Sequence, residues 1–195
     1  HTLTKFWRGD GENTIYEWVL SNIPNTLISN RTISLNTGYI GFYYLQAIDN
    51  ETLLTILSNN STPTDALLAR IDITSDTVTS AQVTPLFNIS TTSLGPDSML
   101  LTTNNKLLFV GSKFDPNNIP IRVLKQYSYP DGILETEIDL SIVADNTTSI
   151  ALGLFESGGE IYLSKSLLSP APYTTTLYKI SPTSPYPITT VFSNI

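Results

Sequence analysis

Glu135, Glu137 and Asp139 alternate along a short apolar-polar run, and an extended strand would place all three carboxylates on one face. Oxygen ligands of that kind suit Ca²⁺, which is the one metal the sequence offers a place for. The competing expectation is edge protection, in which charges on an outer strand stop it pairing with another sheet. Apart from that possible Ca²⁺, no cofactor is expected. The only histidine is His1 and there are no cysteines, so a Ser-His-Asp triad, a multi-His metal site, thiol catalysis and disulfides are all excluded. Two fragments, Asp10-Gly11-Glu12-Asn13 and Asp115-Pro116-Asn117-Asn118, contain calcium-loop residues without a full ligand set and read as turns. Arg8-Gly9-Asp10 likewise reads as a turn.

Aromatic side chains form the second chemical signal. Tyr39, Phe42, Tyr43 and Tyr44 cluster in one segment, and Trp7 and Trp18 lie upstream. Trp7, Trp18, Tyr39 and Tyr43 could build a stacking platform for sugars, although aromatic residues in strands more often pack between sheets. Six Asn-x-Ser/Thr sequons, at Asn30, Asn50, Asn59, Asn60, Asn88 and Asn146, are candidate glycosylation sites.

The chain of 195 residues is long enough for a sizeable core and carries a formal net charge of −7. That balance argues against a nucleic-acid partner, since nothing would neutralise phosphates. No apolar run approaches the ~20 residues a membrane span needs. Charged residues make up only 14% of the chain, so its polar surface must come mainly from hydroxyls and amides. The chain opens on His1 without a visible signal peptide, which fits a processed, truncated or tagged start and a mature secreted chain.

These residues are positioned by a repeat. Leu53, Leu107 and Ile161 each open a short apolar strand after a polar turn, 54 residues apart. Arg70, Lys125 and Lys179 recur inside a later apolar run, and Glu17 falls one period upstream with the opposite charge. Such a series could line a binding face, or be solvated with its alkyl stems over apolar surface. Val78, Ile133 and Ile188 mark a third landmark, the start of the last strand. Asp131-Gly132 predicts a two-residue hairpin turn with both central residues at φ > 0.

First and second strands are apolar on both faces, whereas third and fourth strands admit charge. Four antiparallel strands per unit of this kind describe an all-β, β-propeller-like array of blades, with a β-sandwich as the alternative. Residues 1–36 read as an incomplete blade lacking its first strand, followed by blades over 37–92, 93–146 and 147–195 of a single repeat domain. That leaves fifteen strands and an unpaired inner edge, which predicts that the missing strand comes from residues outside this sequence or from a neighbouring subunit by strand addition.

The stretch KLLFVGS, then IRVLK, then PDGILETEI, between Lys106 and Ile138, resembles the blade repeat of prokaryotic surface-protein propellers. The resemblance covers about one blade. It implies an extracellular or cell-surface location and a non-enzymatic structural or adhesive module of an assembly, filament or appendage. Partners would be other subunits or the remainder of a larger chain, together with glycans. The alternative is a carbohydrate-binding or carbohydrate-active propeller that uses aromatic and acidic residues.

Overall fold

The computed structural model describes residues 5–10, 13–20, 26–59, 65–90, 98–141, 143, 150–167, 174–181 and 187–194. They form sixteen strands in four sheets of four, the blades of a β-propeller. The chain packs as two compact units, His1–Ser90 and Thr91–Ile195.

The first unit holds two blades. Blade 1 contains β1 (Lys5–Gly9), β2 (Thr14–Leu20) and β3 (Leu27–Asn36) as an antiparallel meander. Blade 2 contains β4 (Tyr39–Ala47), β5 (Thr52–Asn59), β6 (Asp65–Asp72) and β8 (Val83–Ser90). The short strand β7 (Thr77–Thr79), between β6 and β8, leaves its own blade and pairs in parallel with β3 of blade 1. Ser34 N–H donates to Asp76 O at 2.9 Å where β7 begins.

β7 overturns two expectations. VTSAQVTPLF is not one final strand: a 3-10 turn at Ser80–Gln82 divides it, so Val78 is the middle residue of a short outer strand of the neighbouring blade. Blade 1 is also complete. Its β1 lies beside β4, the first strand of blade 2, so the foreign strand fills the outer position and no inner strand is missing. Gln82 braces the crossing: its side chain accepts from Thr79 N–H at 2.9 Å and donates to Ser75 Oγ at 3.0 Å.

The core of this unit lies between the two facing sheets. Ile15, Ile33, Leu35 and Val78 of blade 1 meet Leu53, Leu57, Ile71 and Val83 of blade 2. Each fully buried aliphatic side chain contributes roughly 1.5–3 kcal/mol. β5 is buried on both faces, with Leu53, Leu54, Ile56 and Leu57 all sealed from solvent, as its uninterrupted apolar sequence requires.

In the second unit, blade 3 runs β9 (Ser98–Leu101), β10 (Lys106–Phe114), β11 (Pro120–Ser128) and β12 (Leu134–Asp139). Blade 4 runs β13 (Ile150–Ser157), β14 (Glu160–Leu167), β15 (Thr175–Ile180) and β16 (Ile188–Asn194). Leu108, Val110 and Leu124 pack against Leu152, Leu163 and Ile180 between them. The first strands again lie side by side, joined by Leu154 N–H donating to Ser98 Oγ at 2.9 Å. Thr103 donates through its backbone N–H and its hydroxyl to Glu156, at 2.8 and 2.6 Å, and so clamps the β9–β10 turn to blade 4.

The turn at Asp131-Gly132 differs from the expected two-residue form. β11 ends at Ser128 and β12 starts at Leu134. Ser128 N–H donates to Ile133 O, and Gly132 N–H donates back to Ser128 O, both at 2.9 Å. Only Gly132 has a positive φ, at 72°; Asp131 does not. On its other edge, Tyr129 N–H donates to Asn105 O at 3.1 Å and carries the β10–β11 pairing one residue past Ser128. A β-branched side chain at Gly132 meets left-handed backbone strain, so Gly132→Val should lower unfolding free energy by about 1–2 kcal/mol in urea titration. An unchanged midpoint would contradict the φ of this residue.

Candidate functional site: the two faces of blade 1

The sequence of β2, TIYEWVL, alternates strictly, and its two faces do different chemistry. Ile15 and Glu17 turn toward blade 2, while Tyr16 and Trp18 turn the other way. Glu17 is completely buried. Its carboxylate accepts from Trp7 Nε1 at 3.2 Å, Arg31 at 3.3 Å, Lys5 Nζ at 3.4 Å and the Asn30 side-chain amide. Arg31 extends the network across the unit, donating to Ile73 O at 2.5 Å and pairing with Asp76 at 3.6 Å. Burial pushes the Glu17 pKa up, but the Asn30 amide, the Arg31 and Lys5 charges and the Arg31 hydrogen bond together hold it below its ordinary 4.5.

On the opposite face, Arg8, Asp10, Tyr16 and Trp18 line an open cleft of about 290 Å³. Register explains the grouping: Arg8 lies directly across from Tyr16, and Phe6 from Trp18. Asp10 sits just past the end of β1, where its Oδ1 accepts from Thr14 N–H at 3.0 Å. The cleft therefore offers two neighbouring aromatic rings, a guanidinium and a carboxylate. A smaller hollow of about 70 Å³ in the second unit, beside Lys106, Gln126 and Glu156, has room for no more than a few waters.

The sequence-expected sugar platform is thus divided. Trp7 faces Glu17 and, with Tyr39, packs against the core cluster, so neither is available for stacking. Trp18 lies in the cleft, joined by Tyr16, Arg8 and Asp10, which sequence reading passed over or took as a turn. Tyr43 pairs with Ile56 in β4, and its side chain lies outside the described residues. Strand parity was the signal that could have separated Trp7 from Trp18, but it requires the β1–β2 register.

The carboxylates on β12 do not converge on a common point. Glu135 takes Lys106 and Gln126, the latter at 2.9 Å. Glu137 takes Lys113, with Lys125 at 3.8 Å. Asp139 accepts from Ser141 N–H at 2.7 Å. Among the described residues, no three His, Cys, Asp or Glu side chains are grouped to hold a metal. Asp115 closes its own loop, accepting from Asn117 and Ile119 N–H at 2.9 and 2.7 Å. Of the Asp10-Gly11-Glu12-Asn13 fragment, Gly11 and Glu12 lie outside the described residues.

Arg70, Lys125 and Lys179 all occupy third strands, whereas Glu17 occupies a second strand, so it is no member of their series. Lys125 and Lys179 are matched by Glu137 and by Glu160, the latter at 3.1 Å. Of the sequons, Asn50 is exposed in the β4–β5 turn and Asn88 is exposed on β8. Asn30 lies in β3 with its amide on Glu17. Asn60 and Asn146, and the side chain of Asn59, lie outside the described residues.

No protein-family model matches the chain, and no curated protein matches it. Solved structures do. The chain is similar to an endo-1,4-β-xylanase from Bacteroides thetaiotaomicron, at TM-score 0.51 and 11% identity over 98% of this chain and 72% of that one. It is also similar to the β-propeller domain of the trilobed protease from Pyrococcus furiosus (TM-score 0.47, 10% identity, 96% of this chain). A third similarity is to oligopeptidase B from Leishmania major (TM-score 0.45, 15% identity, 97% of this chain and 27% of that one). The chain spans about half, 52%, of the protease propeller structure it matches. At these identities the likeness speaks for the fold alone. It also corrects the expectation of a non-enzymatic chain: a structure similar in fold is that of an enzyme, the xylanase, so the fold gives no ground for excluding one.

The Glu17 network yields a test with a definite sign. A carboxylate whose folded pKa is depressed contributes stability that is fully present above pH 4.5 and is lost as pH falls through the folded value. Glu17→Gln should destabilise by about 3 kcal/mol at neutral pH, because Arg31 and Lys5 lose their counter-charge in a largely buried site. The variant should also lose part of the acid sensitivity below pH 4.5, as read by urea titrations across pH. Equal acid sensitivity in both proteins would contradict the assignment.

Proposed function

We propose that the chain is an adhesive β-propeller module of an extracellular surface assembly, recognising carbohydrate through the cleft on blade 1. The observation that carries this reading is the set Arg8, Asp10, Tyr16 and Trp18 around one open cleft. The C–H faces of a pyranose stack on aromatic rings, and its hydroxyls take hydrogen bonds from a guanidinium and give them to a carboxylate. Arg8 adds a preference for sugars bearing a carboxylate, which it can hold by two parallel N–H···O bonds. The partners in this reading are glycans, together with other subunits of the assembly or the rest of a longer chain.

Binding to neutral and uronate-containing oligosaccharides, followed by calorimetry and on a glycan array, tests the reading. Trp18→Ala and Arg8→Ala should each weaken binding at least tenfold, about 1.4 kcal/mol, while the fold survives because neither side chain is buried. No binding at millimolar sugar, or binding indifferent to both substitutions, overturns it. The same incubations, read for released reducing ends, test turnover.

An extracellular location also predicts occupied sequons at Asn50 and Asn88, both exposed. Intact-mass measurement on chain secreted from a glycosylating host should show added glycan that Asn50→Gln and Asn88→Gln remove; a bare mass would count against the location.

A further inference from the structure

We propose that blade 1 makes its own covalent cross-link, with Glu17 catalysing amide bond formation between the Lys5 amine and the Asn30 side chain. Neighbouring strands of one sheet bring these residues together. Lys5 of β1 lies opposite Val19, two residues along β2 from Glu17 and on its face. On the other side, Arg31 of β3 pairs with Glu17 and Ser29 with Trp18, so Asn30 is the extra residue of a β-bulge. A bulge re-aims a side chain that regular alternation would turn away, and Asn30 joins Arg31 on the Glu17 face. The Lys5 amine stands 3.4 Å from Glu17 Oε2, and the Asn30 amide nitrogen donates to Oε1. Each oxygen of one sealed carboxylate therefore holds one reactant. Trp7 Nε1 at 3.2 Å and Arg31 at 3.3 Å act as positioning residues that fix the same carboxylate from either side.

A nucleophile, an acyl group and a proton carrier are what amide exchange needs. Glu17 Oε2 takes one proton from the Lys5 ammonium. The freed Nζ lone pair attacks Asn30 Cγ, and the carbonyl π pair moves onto oxygen. A second Nζ proton passes through the carboxyl group to Asn30 Nδ2. The Cγ–Nδ2 bond breaks with its electron pair on nitrogen, and the carbonyl re-forms. The released ammonia takes the proton still held by Glu17 and departs as ammonium, so no other reactant is consumed. The ion pair is the resting state, and burial of Glu17 lowers the cost of the neutral amine and acid through which the reaction passes. Asn30 itself is exposed, which gives the ammonia a route to water. Blade 3 holds the comparison: Lys106 and Gln126 also share one carboxylate, that of Glu135, but its side chain is 29% exposed and water keeps that pair charged. The reaction is needed once per molecule, and it ties β1 to β3 across β2. It uses the buried face of β2, inside one compact unit, and is independent of the carbohydrate cleft on the reverse face.

Folded chain from a non-glycosylating host should have an intact mass one ammonia, about 17 Da, below that of its sequence. Trypsin should release the peptide ending at Arg8 joined to Gly9–Arg31 through Lys5 and Asn30. Chain recovered unfolded in urea from inclusion bodies should start at full mass and lose ammonia only after refolding, because the strands must pair first. Lys5→Arg keeps a cation beside Glu17 but replaces the amine with a guanidinium, and Asn30→Ser removes the acyl group at an exposed position. Both variants should fold and stay at full mass. Glu17→Asp keeps the charge for Arg31 but draws the carboxylate back by one carbon, and should slow the loss at least tenfold. Trp18→Ala should leave the mass loss unchanged whatever it does to sugar binding. A full mass after refolding would overturn the proposal. So would an ammonia loss that survives Lys5→Arg (a succinimide rather than a cross-link), a water loss joining Lys5 to Glu17, or a rate indifferent to Glu17→Asp.

Discussion

Blade 1 depends on one buried charge. A carboxylate sealed from water is tolerated only when its lone pairs are filled, and Glu17 draws partners from both neighbouring strands to fill them. Lys5 and Trp7 come from β1, Asn30 and Arg31 from β3. That demand fixes strand parity. Once Glu17 and its partners face blade 2, Tyr16, Trp18 and Arg8 must face the other way, since neighbours along a strand point to opposite sides. The cleft is a consequence of where the buried charge was placed. Arg31 carries the same constraint further, because its bonds to Ile73 O and Asp76 hold the chain that delivers β7 to the outer edge of the blade.

Blade 3 was the most legible part of the sequence. Its turns are written in Asn104-Asn105, Asp115-Pro116-Asn117-Asn118 and Asp131-Gly132, and its apolar runs are long and clearly bounded. Blade 1 was the least legible, for two physical reasons. A three-residue parallel strand such as β7 has no periodicity of its own, and its partner is 43 residues away, so only tertiary contact defines it. Val78 looked like the head of a long strand because the 3-10 turn after it, Ser80–Gln82, contains neither glycine nor proline to signal a break.

The charged landmark misled for a related reason. Arg70, Lys125 and Lys179 are third-strand residues that reach solvent or a partner glutamate, whereas Glu17 sits a strand earlier and is buried. Spacing in the chain matched; position in the blade did not. Sign was the available clue, because a lone carboxylate within an apolar run needs several donors, and the aromatic and cationic residues of β1 and β3 were there to supply them. The tryptophans pose the same problem in smaller form: Trp7 and Trp18 are both strand residues, and only the pairing of Trp7 with Glu17 reveals that they serve opposite faces.

The distribution of acid explains how a chain of −7 can still stack sheets. Aspartates are concentrated in turns, where each captures a backbone N–H two residues ahead: Asp49 with Glu51, Asp72 with Thr74, Asp115 with Asn117 and Asp139 with Ser141, at 2.7–2.9 Å. These bonds favour the ionised form, and the carboxyls of Asp49, Asp72 and Asp139 are held below their usual range chiefly by them. Much of the negative charge is thus fixed at the ends of strands, in water, where it organises turns and keeps copies of the chain apart. The sheet faces are left to hydroxyl, aliphatic and aromatic groups, with matched pairs where charge remains. Asp10 belongs to the same class of turn acids, bonded to Thr14 N–H, yet β1 ends so that it closes one side of the aromatic cleft. A residue type used elsewhere to shape a turn there also supplies the one acceptor that a hydroxylated ligand would need.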